Sequence, residues 1–301
     1  RGSYNPHWSW IKTKRKVYDS SVILLMKNLN LLTSNSFNLE ESSEYINKIY
    51  KFPTLKFSLI YMYRFYKELF SRVLKKVSYY LFDTKHNHWT LVLSKGNFLE
   101  IPINEHVIIN TPKNEFWADP FILERDKTKY VFFENYNYKT KLGKISCGRV
   151  LGNEIVQVQD SLIKNYHLSY PFIYEINNKI FMIPETSNNN RLEVYICENF
   201  PNKWSLFSTA FDGEKIIDCN VYNDEENNTW LFLNKKKYES DGCSDLYIYL
   251  IDSLKFNKIT PHRHNPVITD SKKARNAGPI FSHNNKIFRP SQINIDGKYG
   301  F

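Results

Sequence analysis

Cysteine is sparse in this sequence, and its few positions are scattered. Cys147, Cys197, Cys219 and Cys243 stand singly, with no C-x-x-C pair and no tight cluster with histidine. That excludes a disulfide framework and a zinc site of ordinary spacing; the expectation is reduced, cytoplasmic-type thiols with no metal and no cofactor. Long apolar runs are missing as well. None reaches eighteen residues, so no membrane-spanning helix is expected. Acidic residues are scarce in one part only: residues 1–88 hold 15 Lys and Arg against 6 Asp and Glu, whereas the rest hold 26 against 25. A nucleic-acid binder needs basic and aromatic residues interleaved across its folded body, and the nearly neutral remainder argues against one.

What is present is apolar and aromatic. With 42% hydrophobic residues in 301, the chain can bury a sizeable core. Tyr and Phe, at 21 each, favour strands and sugar-stacking surfaces over a helical bundle. Residues 1–86 read as a helical N-terminal or linker region, the tail of a preceding domain by its texture. Its apolar run Val22 to Met26 is short. Asn38 and the acids after it predict a helix over 38–50, limited by Pro53. Leu59, Tyr63, Tyr66, Phe70, Leu74 and Val77 recur every three or four residues and predict a long amphipathic helix over 57–82. Six basic residues from Lys56 to Lys76 and one acid, Glu68, lie on or beside it, a composition that suits either a peripheral contact with an anionic membrane surface or a docked linker helix.

From residue 87 to 301 the pattern changes to short strands broken by polar turns. Four segments align: "ADPFILERDKTKYVFFE", "SYPFIYEINNKIFMIPE", "CNVYNDEENNTWLFLNK" and "AGPIFSHNNKIFRPSQ". With Asp119, Tyr170, Asn220 and Gly278 as alignment points, the spacing is about fifty residues, with two further strands in each interval. Four antiparallel strands per repeat predict an all-β propeller. In a blade, the start of the first strand and the end of the second reach one face, so Asp119, Glu134, Tyr170 and Glu185 are expected at a common funnel. Asp218, Arg275, Arg289 and Gln292 are expected at the same mouth. The fourth unit stops two strands in, at "GKYGF", so the propeller is read as incomplete at its C-terminal end.

The ordered set "FWADPFI", "YVFFE", "HLSYPFI", "MIPET", "HRHNPVITD", "ARNAGPIF" and "FRPSQ" resembles the five-bladed propeller domain at the N-terminus of plant glucosamine inositolphosphorylceramide transferases and their bacterial relatives. The wider architecture is similar to glycoside hydrolase family 43. The resemblance implies a carbohydrate-active propeller, with the family's motif positions on Trp117, Asp119, His167, Tyr170, Glu185, Arg275, Arg289 and Gln292. In family 43 a base, a pKa-tuning Asp and an acidic Glu open three successive inner strands; here those places read Asp119, Tyr170 and Asn220, with Asp218 two residues before the last.

Glycosyl transfer passes through an oxocarbenium-like state that needs one carboxylate and one acid. Asp119, Glu185 and Asp218 are the catalytic candidates. Trp117, Glu134, His167, Tyr170, His264, Arg275, Arg289 and Gln292 are the substrate-binding candidates. Arg275, Arg289 and His264 would suit a phosphorylated sugar donor, because planar guanidinium binds phosphate bidentately. Each has a plainer role open to it: a strand cap for Asp119, an ion pair for Glu134, loop bonding for Glu185 and His264, a blade plug for Trp117. Three functions remain open: an enzyme making or breaking a glycosidic bond in cell-surface glycan or glycolipid synthesis, furanosidase-like hydrolysis included; a silent glycan-binding propeller beside a linked transferase; and a protein-interaction propeller.

Overall fold

The computed structural model describes residues 9–33, 52–82, 88–96, 99–100, 106–236 and 244–294. The chain forms two compact units, one from Pro6 to His88 and one from Trp89 onward.

The first unit is helical: α1 spans Trp10–Thr33 and α2 spans Leu55–Phe82. The stretch around Val22 to Met26 is thus the middle of a 24-residue helix. Its basic first turns hide the periodicity, but no Gly or Pro interrupts residues 7–52. The helix expected over 38–50 lies outside the described residues. α2 starts just after Pro53, and Thr54 caps it, its hydroxyl accepting from the Phe57 N–H at 3.4 Å. No described residue of α2 is buried: Tyr66 is 58% exposed and Phe70 64%. No described helix is long and apolar enough to cross a membrane.

The second unit is mostly β. A short ladder pairs β1 (Val92–Leu93) with β2 (Val107–Ile108). Three antiparallel meanders follow. Sheet A holds β3 (Glu115–Arg125), β4 (Thr128–Asn137), β5 (Leu142–Leu151) and β6 (Glu154–Leu162). Sheet B holds β7 (Ser169–Ile176), β8 (Lys179–Glu185), β9 (Leu192–Asn199) and β10 (Lys203–Ala210). Sheet C holds β11 (Ile216–Asn223), β12 (Thr229–Lys235), β13 (Asp245–Ile251) and β14 (Ile259–Pro261), with β15 (Ile268–Thr269) also on β13. A last hairpin joins β16 (Phe281–His283) to β17 (Lys286–Phe288).

The sheets are fastened face to face by alternating apolar residues. Phe132, Ile145 and Cys147 of sheet A meet Leu168, Met182 and Tyr195 of sheet B in one cluster. Phe172, Ile183 and Val194 of sheet B meet Val221, Leu231 and Leu233 of sheet C in another. Many of these side chains are fully buried, each stabilising the fold by roughly 1.5–3 kcal/mol. The packing leaves the first strands β3, β7 and β11 as neighbours, which sets the site.

Each first strand carries the same irregularity near its start. In β3 the ladder jumps from Ala118 opposite Glu134 to Phe121 opposite Phe132, leaving Asp119 and Pro120 unpaired. In β7 it jumps from Ser169 opposite Glu185 to Phe172, leaving Tyr170 and Pro171. In β11 it jumps from Ile217 opposite Asn234 to Asn220, leaving Asp218 and Cys219. The first unpaired residue of each bulge has a left-handed backbone, φ 49° at Asp119, 44° at Tyr170 and 45° at Asp218. Proline fits the first two bulges because no ladder N–H is needed there. The third equivalent residue is therefore Asp218, and Asn220 matches Phe121 and Phe172. The alignment on Asn220 is out by two residues because Cys219 stands where the other bulges have proline.

Candidate functional site

The bulges turn Asp119, Tyr170 and Asp218 out of strand alternation toward Glu134, within β4, and Glu185, at the end of β8. Bulges re-aim side chains in this way next to many active sites. A chain of hydrogen bonds runs between the sheets. The Tyr170 backbone N–H donates to the Asp119 carboxylate. The Tyr170 hydroxyl donates to Asn220 Oδ1 at 3.1 Å and toward the Gly278 carbonyl at 3.4 Å, which also accepts from Asn220 Nδ2 at 2.8 Å. Tyr170 is 2% exposed, so it is a strut behind the pocket rather than a surface for a ligand.

Four carboxyl groups influence one another here: Asp119, Glu134, Glu185 and Asp218. One guanidinium stands among them. Arg275 Nε donates to Asp218 Oδ2 at 2.5 Å, and its Nη2 lies 3.8 Å from Glu185 Oε2. Burial drives Asp218 up to about 7, against the opposing pull of Arg275; a hydrogen bond with Glu185 adds to the rise. Burial, then the charge of Asp218, drives Asp119 up to about 6. Glu134 is raised well above the usual carboxyl range by burial and by Asp119, Glu185 and Asp218. Asp119 and Glu185 are partly exposed, the Glu185 side chain by 12%, whereas Glu134 and Asp218 are buried. Glu185 is also held by Ser187, whose hydroxyl donates to Oε1 at 2.6 Å.

The result is two accessible carboxyls, each backed by a buried one that retains protons. Such a set can accept a proton at one point and release one at another. Among the described residues no three His, Cys, Asp or Glu side chains are disposed to hold a metal ion.

Other candidates fall elsewhere or serve the frame. Trp117 packs into the core with Phe133, Val131, Leu91 and Ile109, so it is not a sugar platform in the pocket. Trp117 and Asp119 would share a face in a regular strand; the bulge separates them. Arg289 is occupied by the loop that presents Arg275, donating to the Lys273 carbonyl, to Asn276 Oδ1 at 3.0 Å and to the Ala274 carbonyl at 3.4 Å. Gln292 donates its backbone N–H to the Arg275 carbonyl at 3.0 Å. His264 sits beside His262, ring centres 5.4 Å apart, in the loop after β14. His167 reaches the pocket, with Nε2 3.4 Å from Glu134 Oε1.

Sequence reasoning missed Gly143, Asn276 and Ser187. Gly143 donates to His167 Nδ1 at 2.9 Å, and a lone glycine within a strand is the signal of such close approach. Asn276 bonds the Asp218 carbonyl at 2.6 Å and the Asn234 side chain at 3.1 Å, joining the Arg275 loop to β11 and β12. No signal short of the structure marks Ser187.

A family model described as the N-terminal part of glucosamine inositolphosphorylceramide transferase 1 matches residues 103–300. Glucosamine inositolphosphorylceramide transferase 1 of Oryza sativa subsp. japonica is 29% identical over 220 residues, covering 69% of this chain and 29% of that protein. The protein of the same name from Arabidopsis thaliana is 28% identical over 186 residues, covering 60% and 24%. The chain thus spans less than a third of these relatives. Among solved structures, a glycoside hydrolase family 43 β-xylosidase/α-arabinofuranosidase from a compost metagenome aligns with a TM-score of 0.43 at 11% identity, over 60% of this chain and 71% of that one. A family 43 β-1,3-galactosidase aligns with a TM-score of 0.43 at 10% identity, over 62% and 69%.

Proposed function

The chain belongs to the family of the glucosamine inositolphosphorylceramide transferase N-terminal domain, and on that premise we propose that its carboxyl pocket makes or breaks a glycosidic bond on a five-bladed propeller. The observation that carries this is the convergence of Asp119, Glu134, Glu185 and Asp218 around Arg275. In this reading Asp119 is the base: at about 6 it is mostly ionised at neutral pH yet still a competent proton acceptor. Glu185 faces the substrate as acid. Asp218 beside it, raised to about 7, is the group that supplies the proton.

The substrate is a sugar or glycan, in keeping with the transferases that the relatives are named for. A phosphorylated donor, if used, would keep its phosphate away from the carboxyls. Arg275 is engaged by Asp218, and Arg289 by backbone carbonyls. The basic helix α2, with its exposed aromatic stripe, is proposed to rest on anionic lipid at the reducing side of a membrane, where the substrate glycan or glycolipid is made.

A second reading, sugar binding without turnover beside a linked transferase, is favoured by one contact. The 2.5 Å pairing of Arg275 with Asp218 ties down the third inner-strand carboxyl. Mass-spectrometric screening of the full-length protein against nucleotide sugars and sugar phosphates separates the two. A transferred or released sugar that depends on Asp119 supports the enzyme; saturable binding without product supports the binding module.

A further inference from the structure

The contact between Gly143 and His167 fixes more than a loop. Gly143 lies on β5, and its N–H donates to His167 Nδ1 at 2.9 Å, while its carbonyl accepts from the Leu168 N–H at 2.9 Å. A Cβ on Gly143 would stand 2.5 Å from the Leu168 carbonyl oxygen and 2.7 Å from His167 Cε1, so the approach needs glycine. The Tyr136 ring packs edge-on against the imidazole, ring centres 5.9 Å apart. The imidazole is therefore held by the Gly143 backbone and by packing against Tyr136.

A ring nitrogen that accepts a hydrogen bond carries no proton. Nδ1 accepts from Gly143, so the ring hydrogen belongs on Nε2. Nε2 lies 3.4 Å from Glu134 Oε1, just beyond ordinary hydrogen-bond length and within reach of a small side-chain adjustment.

We propose that His167 is a positioning residue, a fixed Nε2–H donor that occupies Oε1 of Glu134 and so places the carboxyl's own proton on Oε2, toward the other pocket carboxyls. The backbone of Gly143 locks the tautomer. His167 is not an acid or base, because taking a second proton at Nδ1 would break the Gly143 bond. Burial agrees, keeping His167 below its ordinary pKa and therefore neutral. The groups that bear on Glu134 are Asp119 from β3, Glu185 from β8, Asp218 from β11 and Arg275 from the loop before β16, with His167 facing it from the segment before β7. This assignment rests on the reading of the carboxyl pocket as the reactive site, but its test needs no substrate.

Two measurements on the full chain without ligand decide it. Nitrogen-15 NMR of the histidine rings should show His167 with a bare Nδ1 and a protonated Nε2 at neutral pH; a protonated Nδ1 overturns the proposal. Carbon-13 NMR of labelled glutamate carboxyls should show Glu134 in His167→Phe titrating about one pH unit higher than in the parent, a tenfold gain in proton affinity, because the ionised form has lost its donor. His167→Gln restores an N–H donor and should bring the titration back toward the parent. Equal titration of parent and His167→Phe, or no rescue by His167→Gln, overturns the proposal. The ring measurement stands on the parent alone, so misfolded variants do not blunt it. Absence of turnover on every sugar tested, with both NMR results as expected, would count against the glycosidic reading and leave the His167 assignment standing.

Discussion

Asp218 of β11 and Glu185 at the end of β8 meet at one guanidinium: Arg275 Nε donates to Asp218 Oδ2 at 2.5 Å, and its Nη2 lies 3.8 Å from Glu185 Oε2. Two largely buried carboxylates that share one guanidinium cannot both be ionised without cost, so one of them keeps a proton. Asp218 is the one, since burial lifts it to about 7 against an ordinary value of 3.8. A carboxyl with a raised folded-state pKa contributes its stability fully below the unfolded value and loses it as pH rises through the folded value. The window for Asp218 therefore runs from about pH 4 to about pH 7. In Asp218→Asn a neutral amide donates to Glu185 at every pH. Its thermal midpoint relative to the parent should climb across that window and level off above it. His167, shifted downward, works in the opposite direction but is common to both proteins. A constant difference between the two melting curves from pH 4 to 8 would rule out the shared proton.

The left-handed backbone at Asp119 makes a second prediction. A non-glycine residue at φ 49° is strained by about 1–2 kcal/mol, and glycine removes that strain. Asp119→Gly also removes a carboxyl that burial has pushed up to about 6. Denaturant unfolding of this variant should show stability equal to the parent or above it by about 1 kcal/mol, with turnover lost. A loss of 2 kcal/mol or more would mean that Asp119 holds the bulge together instead of being tolerated there for its chemistry.

The strand pairs, the two polar turns and the place of Glu185 at the end of β8 follow from alternation and turn chemistry and were legible in the sequence, whereas β4 runs on past Glu134 to Asn137. The bulges were not legible. A bulge shifts which side chains share a face, so Trp117 was expected beside Asp119 and lies instead with Phe133 in the core. The third bulge lacks the proline of the first two, which hid the equivalence of Asp218 with Asp119. Arg275 and Arg289 look alike as sequence, yet one pairs with Asp218 and the other holds backbone carbonyls. That choice depends on loop geometry that no local pattern encodes. The helix α1 falls in the region read as helical, but charge at its start breaks the apolar rhythm and hid its bounds.

Arg289 supplies a structural prediction. Its guanidinium donates to the Lys273 carbonyl and to Asn276 Oδ1, and Asn276 in turn holds the Asp218 carbonyl. Arg289→Met keeps the length of the stem and leaves those acceptors without their donor. The expected cost is about 1–3 kcal/mol in denaturant unfolding. Any activity should fall with it, because the same loop carries Arg275. An unchanged unfolding midpoint would return Arg289 to the list of ligand-binding candidates.

For α2 the expected partner is anionic lipid. Lys56, Arg64, Lys67, Arg72, Lys75 and Lys76 face one acid, Glu68, which already pairs with Arg72 at 2.8 Å. The protein should float with vesicles containing phosphatidylserine and stay behind with neutral ones, and salt should weaken the association. Tyr66→Ser with Phe70→Ser should reduce flotation without changing the thermal midpoint, since both side chains are exposed. Equal flotation on neutral and anionic vesicles, or none on either, would leave α2 as a surface helix with a different partner.

The pair Asp119→Asn and Glu185→Gln bears most directly on the chemistry. Both substitutions keep shape and remove ionisation, so neither should unfold the protein. If Asp119 is the base, Asp119→Asn should lower turnover by about a hundredfold or more, the scale of general-base catalysis, while glycan affinity changes little, because an amide still hydrogen-bonds to hydroxyls. Glu185→Gln should be as damaging when the leaving group is poor. It should be much milder when the leaving group is a phosphate, which departs without a proton. A series of donors with graded leaving groups, measured on the full-length protein, reads this directly: the deficit of Glu185→Gln should shrink as the leaving group improves, and that of Asp119→Asn should not. If both variants bind and turn over as the parent does, the pocket is not the reactive site. If both lose only affinity, with no turnover in the parent on any donor, the domain holds glycans for a reaction carried out elsewhere.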